Sequence, residues 1–493
     1  MNTQQNNEKN NHDINQTIDQ VDILAKPVQA GAKARSDEKP FDYWLKKNSY
    51  YHKQVIKFYT FVIPEGSSVL HINCKNGYLL NAIKPSYGVG VDEDAACIAS
   101  AQDSYLGYVF HQGSIDSLSD QDPFEYIILG LATMETYDIQ ELLQSIQRFC
   151  NPSTRIIIDT YSSLWEPVLR LTQALGLRRP TVFKNWVSHN DLQNFLELAG
   201  FQTVTKGRYM MLPMYIPVIS TFFNALLVHV PLIRRLCLNE WIIARPQPAV
   251  VPRKDIVVSV IVPCRNEKGN VEAAVTRCPQ MGAKTEIIFV EGNSADGTLD
   301  EIKRVCHMYP ERNVSWYVQT GKGKGDAVRK GFEHATGDIL MILDGDLTAP
   351  PEELPKFVNA LVSGKGEFIN GSRLVYGMEN EAMRFLNLLA NFFFSQLFSW
   401  LLDQKVKDTL CGTKVLWHDD YKKIVANRHF FGNFDPFGDF DLLFGAAKLN
   451  LKIIDMPVHY KNRTYGSTQI RRFMHGWILL GMSFLALKKF KFR

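Results

Sequence analysis

The run GDILMILDGDLTAPPEEL (337–354) ends an apolar stretch in two carboxylates, Asp344 and Asp346, with Gly345 between them. Two hard oxygen donors suit Mg²⁺ or Mn²⁺ bridging to a diphosphate. A glycine at the centre lets the backbone approach a bulky phosphate. Carboxylates at the carboxyl end of a parallel strand also sit where α/β sheets bind ligands. A polar turn after a strand is the alternative, since D-x-D arises often by chance, and the neighbouring motifs decide the weight. Upstream stand SVIVPCRNEKGNV (259–271), IIFVEGNSADGT (287–298) and GKGKGDAVRKGF (321–332), each following a strand-like run or opening a helical one. Downstream come NGSR (370–373), DTLCGTKVL (408–416), GDFDLLF (438–444) and HYKNRTYGST (459–468).

In this order and spacing the motifs resemble the family 2 glycosyltransferases, with the nucleotide-binding GT-A fold, over about residues 255–470. The resemblance implies that Pro263, Arg265, Asn266 and Glu267 line a nucleoside pocket. It implies that Glu291 contacts the base or ribose, with Ser294 and Asp296 completing its loop. Gly292 departs from the family's second acid. Lys322, Gly323, Lys324 and Gly325 match the segment that passes the nucleotide; for Lys322 a solvated turn is the alternative. The later motifs look like the acceptor and diphosphate region of polyprenyl-phosphate glycosyltransferases. By that likeness Arg463 clamps the leaving diphosphate, Arg373 shares the phosphate environment, Asp344 and Asp346 hold the metal, and Asp441 completes the metal site or orients the acceptor. For Asp439 and Asp441 the competing role is that of acids at a helix N-terminus. Implied ligands are a nucleotide-diphospho-sugar, a polyprenyl phosphate or other glycan or lipid acceptor, and Mg²⁺ or Mn²⁺.

These groups need a scaffold, and IVVSVIVP, TEIIFVE and DILMILD read as its buried strands. Ahead of them SSVLHIN, YGVGVD, FEYIILG and TRIIIDT alternate with helical patterns, which predicts a second α/β unit with a parallel sheet. The chain divides into a disordered polar tail (1–40), an α/β domain (41–243), a proline-rich linker (244–254) and a C-terminal α/β domain (255–493).

The first α/β domain resembles the class I S-adenosylmethionine methyltransferases, a Rossmann-like fold, over 41–243. Where that family has a glycine-rich loop, this chain reads His71, Asn73, Lys75 and Gly77. Gly77, Asp92 and Asp116 are the residues the likeness would assign to S-adenosylmethionine, with strand-end and turn carboxylates as the alternative for the two acids. Side chains at Asn73 and Lys75 crowd such a cofactor, so the expectation is a retained fold with lost or altered cofactor binding.

A net charge of +4 over 493 residues gives no case for a nucleic-acid partner. Eight scattered cysteines without a CxxC pair suggest neither a zinc site nor a disulfide framework, and the polar start lacks the apolar core of a signal peptide. FLNLLANFFFSQLFSWLLD (385–403) carries Asn387, Asn391, Ser395, Ser399 and Asp403 at four-residue steps. Together with FMHGWILLGMSFLAL (473–487) and KKFKFR behind it, this predicts peripheral attachment to the cytoplasmic face of a membrane; a core helix at 385–403 is the alternative. The function expected is sugar transfer to polyprenyl phosphate, against two other readings: an enzyme that also methylates its product, and an inactive membrane-associated scaffold.

Overall fold

Val- and Ile-rich runs buried on both faces form the inner strands of two seven-stranded sheets. The computed structural model describes residues 39–119, 121–181, 183–252, 255–375, 385–430, 438–466 and 472–491. The tail expected at 1–40 lies almost wholly outside them. Phe41–Arg493 forms one compact unit holding both sheets.

The first sheet consists of β1 (Ser68–Ile72), β2 (Tyr87–Asp92), β3 (Val109–Gln112), β4 (Tyr126–Gly130), β5 (Arg155–Tyr161), β6 (Phe201–Tyr209) and β7 (Asn239–Pro246), in the order 3-2-1-4-5-7-6. The second has β8 (Val257–Cys264), β9 (Lys284–Glu291), β10 (Val314–Val318), β11 (Ile339–Ile342), β12 (Phe368–Ser372), β13 (Lys414–Trp417) and β14 (Ile453–Pro457), in the order 10-9-8-11-13-12-14. Strand order reverses between β1 and β4 in one sheet and between β8 and β11 in the other. Those are the switch points where α/β sheets open a crevice at their carboxyl ends. Asp344 and Asp346 leave β11, and Arg265 to Glu267 leave β8, at the second crevice.

Two expectations are corrected. Both sheets are mixed rather than parallel, because β7 runs antiparallel to β5 and β6, and β13 antiparallel to β11 and β12. The segment 244–254 does not begin as a linker: Ala244, Arg245 and Pro246 are still paired within β7. All eight cysteines are free thiols.

A buried ion triad joins the sheets. Glu367, just before β12, accepts from Arg155 of β5 at 2.7 Å and lies 3.0 Å from Arg245 of β7. The remaining donors are also used, with Arg155 Nε on the Asn450 carbonyl (2.9 Å) and Arg245 Nη2 on that of Gly364 (2.7 Å). Opposite charges so deep in low dielectric require full pairing, which this arrangement supplies.

The helix Phe385–Leu402 packs as the core helix named as the alternative for 385–403. Phe394, Phe398, Leu401 and Leu402 join the core of the second sheet, and the polar stripe also faces inward. Ser395 and Ser399 donate to the Val406 carbonyl (2.8 and 3.1 Å), and Ser399 accepts from the Val406 amide. The stripe thus satisfies the turn that follows the helix, while Phe392 and Phe393 face out. The side chain of Asn387 lies outside the described residues. Among those residues no helix is long and apolar enough to cross a membrane.

Candidate functional site

At the second crevice five acids meet four cations. Lys324 Nζ lies 2.6 Å from Asp344 and 3.6 Å from Asp439. Lys414, fully buried at the start of β13, lies 4.0 Å from Asp439. Arg463 bridges Asp346 (2.6 Å) and Glu267 (3.0 Å). Arg373 forks onto buried Asp408 through Nε (2.8 Å) and Nη2 (2.9 Å), with its backbone amide on the same carboxylate (3.0 Å). Burial alone would raise the Asp344 carboxyl, yet Lys324 overcomes it and, with Arg373 and Lys414 nearby, holds it below its ordinary value. Burial also acts on Lys324, and there Asp344 and Asp439 prevail and push the ammonium upward. At Glu267 burial wins over Arg463, leaving its carboxyl above the usual range.

Local backbone chemistry fixes these positions. Thr348 donates to Asp346 Oδ1 through its amide (3.1 Å) and hydroxyl (2.9 Å), locking the turn after β11. A Cβ at Gly345 would fall 2.7 Å from the Pro263 carbonyl, so only glycine lets the two loops approach. A Cβ at Gly412 would collide with the Asp344 carboxylate. The helices Lys324–His334 and Asp439–Lys448 begin side by side, with a Cβ at Gly438 reaching 2.7 Å from the Gly325 Cα. Two helix N-termini therefore add their positive ends to the crevice.

The nucleoside-loop residues are laced to one another. Asn266, at φ 57°, receives the Ala295 amide on Oδ1 (2.8 Å) and gives its own to Ser294 Oγ (2.9 Å). Glu291 takes the Ser294 amide (2.5 Å), and Asp296 takes those of Lys268 (3.2 Å) and Thr298 (3.0 Å). A Cβ at Gly292 would press on the Cys264 carbonyl at 3.2 Å, which is a steric reason for glycine in place of an acid there. Arg265 and Lys322 stand exposed, and Pro263 is half-buried. The C-terminal strap 461–466 closes over these loops, through the Lys461 amide on the Thr348 carbonyl (2.9 Å), Arg463, and the Tyr465 hydroxyl on Asp296 (3.3 Å).

Asp441 sits elsewhere, salt-bridged to Arg428 at 3.0 Å. Its neighbour Asp439 faces the lysines instead. Sequence reasoning assigned Asp441 rather than Asp439 to the site, and it did not single out Lys414 or Asp408, for which the segment DTLCGTKVL was the only signal. Part of HYKNRTYGST, from Ser467 on, lies outside the described residues.

The crevice of the first sheet is built differently. Asn73 (φ 63°) and Lys75 (φ 53°) keep the left-handed backbone of a glycine-rich loop, but their side chains turn into its mouth. Lys75 Nζ donates to Asn73 Oδ1 (2.5 Å) and Glu135 (3.2 Å) and lies 3.9 Å from Asp92. Burial opposes the charge on Lys75, yet Glu135 and Asp92 raise its pKa above the ordinary value. Asp92 is already committed, accepting the amides of Lys75 (2.8 Å) and Asp94 (2.9 Å). Gly77 begins the helix Tyr78–Ile83 at φ 75°, and a Cβ there would strike the Phe110 ring at 2.7 Å, so packing alone accounts for it. Asp116 is exposed on a short turn.

Deeper in this domain Asp159 accepts from Tyr209 (2.6 Å) and Asn239 (3.0 Å), and burial pushes its carboxyl up to about 7. A carboxyl raised on folding stabilises below its unfolded pKa and loses that contribution as pH rises through the folded value. Stability contributed here falls between about pH 4 and pH 7. Asp159→Asn is expected to flatten that fall, giving a Tm above wild type at pH 8 and close to it at pH 5 by calorimetry; identical pH profiles would contradict this.

Residues 259–424 match the family model described as glycosyl transferase family 2, and residues 44–206 match one described as methyltransferase domain. Asp439 and Arg463 lie beyond the matched segment. The chain is 42% identical to the dolichol-phosphate mannosyltransferase of Saccharomyces cerevisiae over 112 residues, 22% of this chain and 41% of that protein. It is 33% identical to the undecaprenyl-phosphate 4-deoxy-4-formamido-L-arabinose transferase of Aeromonas hydrophila over 112 residues, 22% of this chain and 34% of that one. The chain thus spans 34–41% of the length of these relatives. Among solved structures, glucosyl-3-phosphoglycerate synthase of Mycobacterium tuberculosis is similar with a TM-score of 0.35 and 17% identity, covering 50% of this chain and 85% of that one. At that score the superposition adds nothing to the strand order.

Proposed function

We propose, for a chain that joins a methyltransferase domain to a family 2 glycosyl transferase domain, that the C-terminal crevice transfers a sugar from a nucleotide-diphospho-sugar to polyprenyl phosphate. The supporting observation is Arg463, held across Asp346 and Glu267 at the mouth of the crevice. Transfer leaves an anionic diphosphate while positive charge grows on the sugar. A planar guanidinium and the Lys324 ammonium, beside two helix N-termini, are suited to receive that departing charge. The acids now neutralising these cations keep them in place until phosphate arrives.

A divalent cation fits the donor set. Asp344 and Asp346 supply hard oxygens two residues apart, and among the described residues no group of three His, Cys, Asp or Glu could hold an ion alone. Mg²⁺ or Mn²⁺ would be held by these two carboxylates together with diphosphate oxygens, adding positive charge at the leaving group. Acceptor chemistry points to a phosphate. A hydroxyl acceptor needs a base, and Asp441, the carboxylate assigned from sequence to the metal site or the acceptor, is paired with Arg428. Phosphate is ionised near neutral pH and needs positioning more than deprotonation.

The Lys75–Glu135–Asp92 cluster favours a first domain without methyl transfer. Titration with S-adenosylmethionine up to about 1 mM is expected to give no saturable heat; a binding curve would restore the reading of an enzyme that also methylates its product. On this reading the protein attaches peripherally at the cytoplasmic face of a membrane, where it would meet a lipid acceptor.

The site is tested by calorimetry with UDP and GDP in Mn²⁺ or Mg²⁺. Binding of one nucleotide that requires the metal and disappears in Asp346→Ala is the expected result. No binding of either nucleotide would support the scaffold reading.

A further inference from the structure

From Leu212 to Ile233 the N-terminal domain carries no Asp, Glu, Lys or Arg, yet only Val228, with Phe223, Leu227 and Ile233 beside it, packs into a small cluster with Met211 and Cys237. It folds as short helical turns, Ile219–Thr221, Phe222–Leu226 and Leu227–His229. Val218 is 81% exposed and Leu232 75%, and Tyr215 and Phe222 also face outward. So much unpartnered apolar surface on one segment marks an interaction site rather than chance exposure.

The segment is bolted to the C-terminal domain at its two most apolar helices. Trp400, near the end of Phe385–Leu402, donates its indole N–H to the His229 carbonyl (2.9 Å). His229 Nε2 lies 2.7 Å from the Lys491 carbonyl, and Arg234 lies 3.5 Å from Asp403. An apolar groove lined by Leu226, Val230, Trp400 and Leu487 runs along the seam. Beyond it the helix Arg472–Ala486 buries Leu479, Met482 and Ala486 in the core while exposing Trp477, Leu480 and Phe484, three residues on one helical face. Trp477 is 76% exposed. Charges gather only at the ends of these elements, and there they are basic: Arg234 and Arg235 after the segment, Lys488 and Lys489 after the helix.

We infer that segment 212–236 of the methyltransferase-like domain is a membrane-docking element, and that it and the helix 472–486 form one apolar, basic-rimmed face for an anionic bilayer. Aromatic and aliphatic side chains enter the boundary between headgroups and acyl chains, and the arginines and lysines meet lipid phosphates. On this assignment the N-terminal domain holds the sugar-transfer crevice at the lipid surface. The inference rests on the peripheral attachment proposed above.

The test is co-sedimentation of the full chain with phosphatidylglycerol-rich and with pure phosphatidylcholine vesicles. Wild type is expected to bind the anionic vesicles more tightly. The double variant Val218→Asp/Leu232→Asp is expected to lose at least about tenfold in partition with Trp477 intact, since two exposed apolar contacts are replaced by repelled charges. Both positions are exposed, so an unchanged Tm is expected and checks folding. Wild type that binds neither vesicle overturns both the attachment and this element. Loss of binding in Trp477→Asp/Phe484→Asp but not in the 218/232 variant overturns the element alone. A dimeric wild type that becomes monomeric in the 218/232 variant, with vesicle binding unchanged, assigns the face to a second copy instead.

Discussion

Asp346→Ala is expected to lower sugar transfer by at least about a thousandfold, and Arg463→Ala by about a hundred- to a thousandfold, each mainly in kcat. The two residues form one unit. Asp346 is locked by Thr348 on one oxygen and by Arg463 on the other, so its removal costs both a metal-holding carboxylate and the anchor of the guanidinium. Arg463 reaches Glu267 with Nη1 and Asp346 with Nη2. A lysine offers one point charge and cannot span both, so Arg463→Lys should recover little of the loss. Because the residues share one network, the double variant should fall far less than the product of the single effects. Steady-state kinetics with donor and acceptor both varied decide the matter; kcat within a few-fold of wild type in either alanine variant would remove the residue from the reaction.

The largest expected effect on stability is at the interface of the two sheets. Glu367→Ala removes the carboxylate that pairs directly with both buried Arg155 and Arg245 and leaves only Asp420 as a charge nearby, a change that typically costs about 3–5 kcal/mol. The Lys452 amide, which donates to Glu367 at 2.9 Å, loses its partner as well. Urea denaturation followed by circular dichroism should show a lower midpoint and a separation of the single transition into two as the sheets uncouple. An unchanged midpoint would mean that the triad contributes nothing net. Through the same triad strands β5 and β7 of the first sheet meet the start of β12, which leads to Arg373.

The inner strands were legible because Val and Ile crowd them: SSVLHIN, YGVGVD, TRIIIDT, IVVSVIVP and DILMILD all fall on strands of the structure. The antiparallel strand β13 was not, since KVLW is four residues long and follows an irregular stretch around Gly412. Asp344 and Asp346 stood out as paired carboxylates at a strand end and Lys324 through the family resemblance, and the structure brings Lys324 onto Asp344. Residues defined by a distant partner were not legible. Nothing near Asp439 tells that it, rather than Asp441, meets Lys324, and nothing near Glu367 announces two arginines far away in sequence. The stripe at 385–403 was visible but its direction was not, because the carbonyl that Ser395 and Ser399 satisfy belongs to the next turn. At Lys75 the missing glycine was visible in the sequence, while its partner Glu135 is one only the fold could supply.

The central claim is sugar transfer to a lipid phosphate, and the most direct measurement mixes the full chain, polyprenyl phosphate, Mn²⁺ or Mg²⁺ and a panel of labelled UDP- and GDP-sugars, with Asp346→Ala alongside. Label should pass to the lipid fraction from one donor, require the metal and vanish in the variant. Folded wild-type protein that transfers label from none of the donors would contradict the account.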